Sequence, residues 1–365
     1  MSHTYFFRRT GSSRFILGEL AARKVRNHIG KVKARSLTFS GVFLYLARTL
    51  YHMRLQSNQS LPALMKLYDA HLHFFSHDFF AALARLKSAN VEHTLAELVA
   101  RTKLELPALE VRAHLDKWLA ELDRHKVTRA IVFASVPEEV EAVGAALQLA
   151  RGRLAGFFLM NPLAERSAAR LQQIVAQYSY RGVMLFPALH HYHINDEALL
   201  PFFEAAAASK LHVFVHFGIL QVKLRDALGL PRLYESTFAN PLALQAVANR
   251  FPELRFIIPH FGCGFWRETL MLGMQCENVF VDTSSSNSWI VTQEMPLTLA
   301  DVFHRTKAVF GAERILFGTD SGMFPRGWRK DIFEVQLAAM QSAEFSEREI
   351  ALVLGGNAEK LIALD

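Results

Sequence analysis

MKLYDAHLHF, residues 65–74, is the stretch on which the fold turns. It is a short apolar run that closes on two histidines, His71 and His73. Two residues apart on a strand, both imidazoles point to the same face. Runs of the same kind recur down the chain: RAIVFAS (129–135), LAGFFLMN (154–161), GVMLFP (182–187) and HVFVHFG (212–218). RFIIPHFG (255–262), VFVDTSSS (279–286) and RILFGTDSG (314–322) complete the set. Helical periods such as 138–149 and 299–310 lie between them. A polar insertion runs from the first strand to about Pro107, followed by a helix through Trp118 and Leu122. Eight strands, each followed by a helical segment, predict an α/β fold, a (β/α)8 TIM barrel over 65–365. The rival, an open doubly wound sheet, calls for a glycine-rich turn after strand one, where this chain has histidines.

Composition narrows the class. The chain has 365 residues, 51% hydrophobic and 21% charged, which excludes a disordered polymer. No apolar stretch reaches the roughly 20 residues of a membrane span. Two cysteines, Cys263 and Cys276, exclude a disulfide scaffold and fit a reducing compartment. The net charge of +7 suggests a nucleic-acid or membrane partner until it is divided along the chain. Residues 1–65 hold eleven Lys/Arg against Glu19 alone, so this stretch is +10, whereas the remaining 300 residues hold thirty against thirty-three, or −3. The body offers no basic surface for nucleic acid.

Residues 1–64 therefore read as a basic N-terminal extension. Phe39, Phe43, Leu46, Leu50 and Met53 recur there at helical spacing. A basic amphipathic helix on an anionic membrane and an organellar transit peptide are both compatible with it. A flexible extension that is not part of the functional protein is the plainer reading, and it leaves a cytoplasmic enzyme.

The histidines are the informative residues. His71 and His73 close strand one, His216 strand five and His260 strand six, while Asp320 closes strand eight. Barrel enzymes place their chemistry at these C-terminal strand ends. Each residue alone means little: an H-x-H among sixteen histidines is weak, and Asp320 in GTDSG can simply cap a turn. Five metal-compatible side chains on one face are hard to attribute to chance. Imidazole nitrogens with one carboxylate suit one divalent ion, best Zn2+, which lowers the pKa of a bound water towards ~7.

DAHLHF, VFVHFG, IIPHFG and ILFGTDSG, in that order, resemble the amidohydrolase-related branch of the metal-dependent TIM-barrel hydrolases, the branch that includes aminocarboxymuconate-semialdehyde decarboxylase. The closing LGGNAEKLIAL is similar to that branch's C-terminal helix, with Asn357 as its N-cap. The resemblance spans residues 65–365. It implies metal ligation by His71, His73, His216 and Asp320, with His260 beside the metal to orient or deprotonate water. It leaves the substrate open, because the branch mixes hydrolases, lactonases, hydratases and non-oxidative decarboxylases. Binuclear relatives often carry a carboxylated lysine at the end of strand four. This chain has Met184 there, so a mononuclear site is expected.

Around that site, Arg326 in SGMFPRGWRK is the preferred handle for a substrate carboxylate, ahead of Arg329 and Arg267. Phe186, Trp289 and Trp328 follow strand ends and are candidates for lining an aromatic mouth, although such rings more often pack loops together. Asp282 is placed either to orient a ligand histidine or to cap its own Thr-Ser turn. His190, His191 and His193 read as loop residues, and Cys263 lacks an adjacent base. The expected activity is metal-dependent hydrolysis of an ester, lactone or amide of a small acidic or aromatic substrate, with His260 and Asp320 moving protons. Decarboxylation of an unsaturated or aromatic acid on the same site is the alternative. A membrane-associated scaffold with an inactive barrel is the alternative of another class. A homo-oligomer is expected.

Overall fold

The computed structural model describes residues 66–284 and 287–363. The extension expected over 1–64 lies outside them. The described chain alternates strand and helix: β1 (Leu67–His73), β2 (Val127–Ala134), β3 (Leu154–Leu159), β4 (Tyr180–Leu185), β5 (His212–Val215), β6 (Phe256–Ile258), β7 (Val279–Asp282) and β8 (Ile315–Leu316). They form one eight-stranded sheet in sequence order, every neighbouring pair parallel. The last strand returns to the first through Ala70 N–H to the Phe317 carbonyl at 2.8 Å and His73 N–H to the Ser321 carbonyl at 2.8 Å. Consecutive parallel strands with helical crossovers close into the expected (β/α)8 barrel.

The strands form from valine-, isoleucine- and phenylalanine-rich runs buried on both faces, as parallel strands covered by helices require. Ile131, Phe133, Phe157, Leu159, Phe214 and Ile257 fill the barrel interior, and Met184 lies among them, 1% exposed. β1 departs from strict alternation. Its pairing with β2 shifts register between Asp69 and Leu72. Such irregularities re-aim successive side chains. Ala70 and Tyr68 therefore join the interior cluster, while the ring of His71, an odd-numbered neighbour, also lies 4.9 Å from Phe133 and 5.2 Å from Phe214.

The insertion after β1 is more ordered than its polar composition suggests. It folds as α1 (His77–Lys87) and α2 (Val91–Thr102), followed by α3 (Val111–Arg124). Phe79, Phe80 and Leu83 of α1 pack with Leu95 and Leu98 of α2 and with Leu224 and Leu228 beyond β5. From α3, His114 Nε2 (2.8 Å) and Trp118 Nε1 (3.3 Å) reach the carbonyl of Phe74, fixing the chain just past His73. α4 (Val140–Leu149) precedes β3, and α5 (Leu299–Phe310) precedes β8 over the span expected from sequence.

Asn357 is a correction. It opens the C-terminal helix α6 (Asn357–Leu361), but it does not cap it. The helix continues without a break from a π-helical turn over Leu352–Gly356, so no free helix start exists there. The amide instead donates to the carbonyls of Ala312 (2.7 Å) and Ile315 (2.8 Å), tying the helix to the entry of β8.

Candidate metal centre

Strand ends bring the sequence candidates together. Nε2 of His71 and Nε2 of His73 lie 3.3 Å apart. Asp320 Oδ1 is 3.2 Å from the His73 nitrogen and 3.7 Å from that of His71. Two groups of donors converge within 4.8 Å, His71–His73–Asp320 and His71–His260–Asp282. His216 lies outside both groups. Its ring centroid is 5.2 Å from that of His260, and Phe186 stacks on it at 4.8 Å with 15° between the planes.

The backbone is bent to achieve this. Both His260 (φ 55°) and Asp320 (φ 57°) occupy the left-handed region, as do Phe261 and Cys263. Non-glycine residues seldom adopt it, and such strain concentrates at functional sites. Gly318, two residues before Asp320, is required by contact: a Cβ there would stand 2.8 Å from His71 Cβ and 3.0 Å from Ser284 Cβ.

Behind the cluster is a buried network that orients the rings. Asp282 Oδ2 accepts a hydrogen bond from Nδ1–H of His71 at 2.8 Å. Its Oδ1 accepts from Ser284 N–H (2.7 Å), from the Ser284 hydroxyl and from His260 N–H (3.3 Å). His260 Nδ1 donates to the Ser284 carbonyl at 2.8 Å. His73 Nδ1 meets the Ser135 hydroxyl at 2.7 Å. For neutral His71 and His260, committing Nδ1–H in this way leaves Nε2 as the lone pair.

Several of these partners escaped the sequence reading. Ser135 closes RAIVFAS at a strand end, so position alone can nominate it. Glu139 has no such signal: it sits in the turn before α4, fully buried, and accepts from Ser76 N–H (2.6 Å) and Ser135 N–H (2.7 Å). Burial pushes its carboxyl up to about 8 against those two bonds. Asp69 is likewise sealed, and burial raises it to about 6. It accepts from His71 N–H (3.0 Å), Thr319 N–H (3.0 Å) and Trp328 Nε1 (2.8 Å), stitching β1 to the segment after β8.

The donor set fits a cation on chemical grounds. With Nδ1–H donating to Asp282, neutral His71 presents its Nε2 lone pair to the ring nitrogen of His73 and a carboxylate oxygen. Such a convergence is repulsive without a positive charge among the atoms. The ionisation tendencies show that this spot favours a positive charge, which a proton on His71 supplies when no cation does. Burial works against charge on His71, yet Asp282 and Asp320 outweigh it and raise the imidazole. Burial works against charge on Asp320 too, yet the hydrogen bond from His73 and the nearby histidines hold its carboxyl well below the usual range. Burial pushes His73 down and His216 far down, which keeps them as neutral donors. His71, His73 and Asp320 can thus hold a divalent ion, with His216 and His260 adjoining.

The other candidates fall at varying distances from this centre. Trp328 is 3% exposed and spends its indole N–H on Asp69. Trp289 is also 3% exposed, packed 6.4 Å from Trp266 and 6.5 Å from Phe261. Trp289 braces a loop, whereas Trp328, with its N–H spent on Asp69, still lines the cavity that holds Arg326. Arg329 is held by Asp331 through two bonds of 2.8 and 2.6 Å. Arg326 is exposed, within electrostatic reach of Asp320, and makes no ion pair among the described residues. It lines a cavity of about 570 Å3 beside α3 and the segment after β8. Cys263 donates to the Ile219 carbonyl at 2.9 Å, and burial pushes its thiol up to about 12, which removes it as a nucleophile. His191 Nε2 donates to the Leu233 carbonyl at 2.6 Å, and His193 packs on Phe238, so both serve the loop.

Comparison with known proteins places this geometry. Solved structures share the barrel. A 5-carboxyvanillate decarboxylase from Sphingomonas paucimobilis matches with TM-score 0.55 and 17% identity, over 82% of this chain and 100% of the other. A second such decarboxylase, from Novosphingobium aromaticivorans and complexed with manganese and 4-hydroxy-3-methoxy-5-nitrobenzoic acid, matches with TM-score 0.56 and 15% identity, over 85% and 99%. A probable 2-pyrone-4,6-dicarboxylic acid hydrolase from Acinetobacter baumannii, with citric acid bound, matches with TM-score 0.51 and 17% identity, over 82% and 100%. At these identities the likeness is one of fold. No curated protein matches the chain. The amidohydrolase family model matches residues 68–364, the whole barrel from β1 to the C-terminal helix. With histidines closing β1 and an aspartate following β8 inside that match, the chain belongs to the amidohydrolase family.

Proposed function

We propose that this chain is a mononuclear metal-dependent hydrolase acting on an ester, lactone or amide of a small carboxylate-bearing substrate. The observation behind this reading is the orientation of His260, whose Nδ1–H is committed to the Ser284 carbonyl at 2.8 Å. Its Nε2 is thereby left to accept a proton from water at the mouth of the barrel, the requirement for a general base. His71, His73, His216 and Asp320 hold the ion in this reading, and zinc suits three imidazoles and one carboxylate. When bound, a divalent ion supplies Lewis acidity at a carbonyl oxygen and lowers the pKa of water. Met184, buried in the barrel interior, offers no carbamate for a second ion. Arg326, free of any carboxylate partner among the described residues, anchors the substrate's acidic group. His260 then returns its proton from Nε2 to the leaving oxygen or nitrogen.

Decarboxylation is the second reading, favoured by the two 5-carboxyvanillate decarboxylases among the similar structures, one with manganese and a nitrobenzoic acid. In that reaction His260 delivers a proton to carbon. Assaying a panel of lactones, esters and aromatic acids for both acid release and carbon dioxide release separates the two. Acid release without carbon dioxide supports hydrolysis, whereas stoichiometric carbon dioxide overturns it. Metal analysis of the purified protein tests zinc. We assign turnover to residues 65–365 alone, so removal of 1–64 is expected to leave it intact. No helix among the described residues is long and apolar enough to cross a membrane.

A further inference from the structure

The metal-facing residues all lie at strand C-termini. At the opposite end, the residues that open β2, β3 and β4 enclose a separate cavity of about 270 Å3. Its walls include Arg129, the third residue of β2, Arg181, the second of β4, and Arg151, in the turn before β3. Ser179 adds a hydroxyl, Leu154 and Ile362 form an apolar floor, and no aspartate or glutamate lines the space.

Three arginines, of which Arg151 is exposed, line this cavity, and no acidic residue lines it with them. Among the described residues, none of the three pairs with a carboxylate. The nearby acids are engaged elsewhere: Asp123 holds Arg153 at 2.7 Å and Glu359 holds Lys66 at 2.7 Å. Arg129 rests over the Tyr68 ring, 5.6 Å from its centroid, which positions the group but leaves its N–H donors free. Arg129 and Arg181 are both partly buried, and Nε of Arg181 is fully buried with no hydrogen-bond partner.

Buried donors are rarely left unpaired, and the absence of a partner costs about 1–3 kcal/mol. Desolvating like charges together adds to that cost, and an anion removes both penalties at once. Guanidinium forks match the planar or tetrahedral oxygens of carboxylates and phosphates. The volume lies at the small end of ligand sites, so the occupant is small. We propose that this basal cavity is an anion site for a small multivalent oxyanion, a phosphate or a compact polycarboxylate, held by Arg129, Arg151 and Arg181 apart from the metal centre.

The test is a titration of the full-length, metal-loaded protein with inorganic phosphate and, separately, with citrate, at ionic strength held constant with chloride. Calorimetry and the shift in Tm are read for wild type, Arg181→Gln, Arg129→Gln and His71→Ala. A saturable response is expected that weakens at least tenfold in both arginine variants and persists in His71→Ala. Two variants on different strands guard against one failing to fold. A response to phosphate alone identifies phosphate as the occupant; a response to citrate alone identifies a polycarboxylate. Absence of saturation with either anion overturns the proposal. So does undiminished binding in both arginine variants, or loss in His71→Ala, which moves the anion to the metal centre.

Discussion

Nδ1 of His71 lies 2.8 Å from Oδ2 of Asp282, and both side chains are sealed from solvent, 1% and 0% exposed. The two residues are 211 positions apart, yet the carboxylate fixes which nitrogen of the imidazole faces the barrel mouth. Partners of this kind typically contribute ten- to a hundredfold to metal affinity. Asp282→Asn keeps the shape but loses the charge, and metal affinity is expected to fall by about that factor. Titrating metal-free protein with zinc against a chromogenic chelator measures it. Affinity equal to wild type would refute the orienting role. His71→Ala is expected to abolish stoichiometric binding in the same titration.

A second chain of support reaches His73 from the other side. Glu139 holds the backbone of Ser135, and the Ser135 hydroxyl meets His73 Nδ1. Ser135→Ala removes only the hydroxyl, so weaker metal binding with little change in Tm is expected. Glu139→Gln instead turns an amide NH2 towards one of two backbone N–H donors. At pH ~9, where the carboxyl is ionised, it should cost about 1–3 kcal/mol of stability, read by urea unfolding, and loosen metal binding as well. Equal stability of Glu139→Gln and wild type would mean that the carboxylate carries no structural role.

The contrast between these two networks shows what the sequence makes legible. Strand runs, their order and the polar residues that end them are local; they predict the barrel and nominate His71, His73, His216, His260 and Asp320 for its C-terminal face, of which His216 lies outside the donor groups. Asp282 was visible for the same reason, although its partner was not. Glu139 is invisible because nothing within its own turn distinguishes it from a surface acid; its burial depends on Ser76 and α1 packing over that turn. Asn357 misled for the related reason that a cap is a local inference, and a π-helical turn upstream removed the helix start it was to cap. Trp289 sits at the right end of the barrel but packs among loop rings, and Trp328 lines the Arg326 cavity with its N–H turned to Asp69, choices fixed by packing and by Asp69 rather than by position.

His260 separates ligation from proton transfer. Its Nδ1 is engaged by Ser284, and its backbone N–H by Asp282. His260→Gln is expected to keep most of the metal and to lose about 10²–10⁴-fold in kcat, the usual contribution of a positioned acid or base. Metal content by elemental analysis and turnover on the best substrate of the panel are the two readouts. Loss of metal in the variant would make His260 a ligand and assign the proton to another group.

The acid stability of the barrel should depend on a histidine far from the metal. His212 opens β5 at the base of the barrel, and its Nε2 donates to the Leu361 carbonyl at 2.5 Å. Burial, opposed by that bond and helped by Arg255 and Arg181, lowers the imidazole to about 4. The folded value lies below the ordinary value of about 6.5, so the fold favours the neutral ring. The stability linked to this group is therefore complete above pH ~6.5 and is lost as pH falls towards 4. His212→Gln preserves a donor for Leu361 without a titrating group. Between pH 7 and pH 4.5, wild type should lose roughly 2–3 kcal/mol more than the variant, read from paired urea unfolding curves. Equal losses in the two proteins would show that His212 does not set the acid limit. The remaining slope would then belong to other histidines, of which the partly buried His190, also lowered to about 4 by burial, is the next to replace.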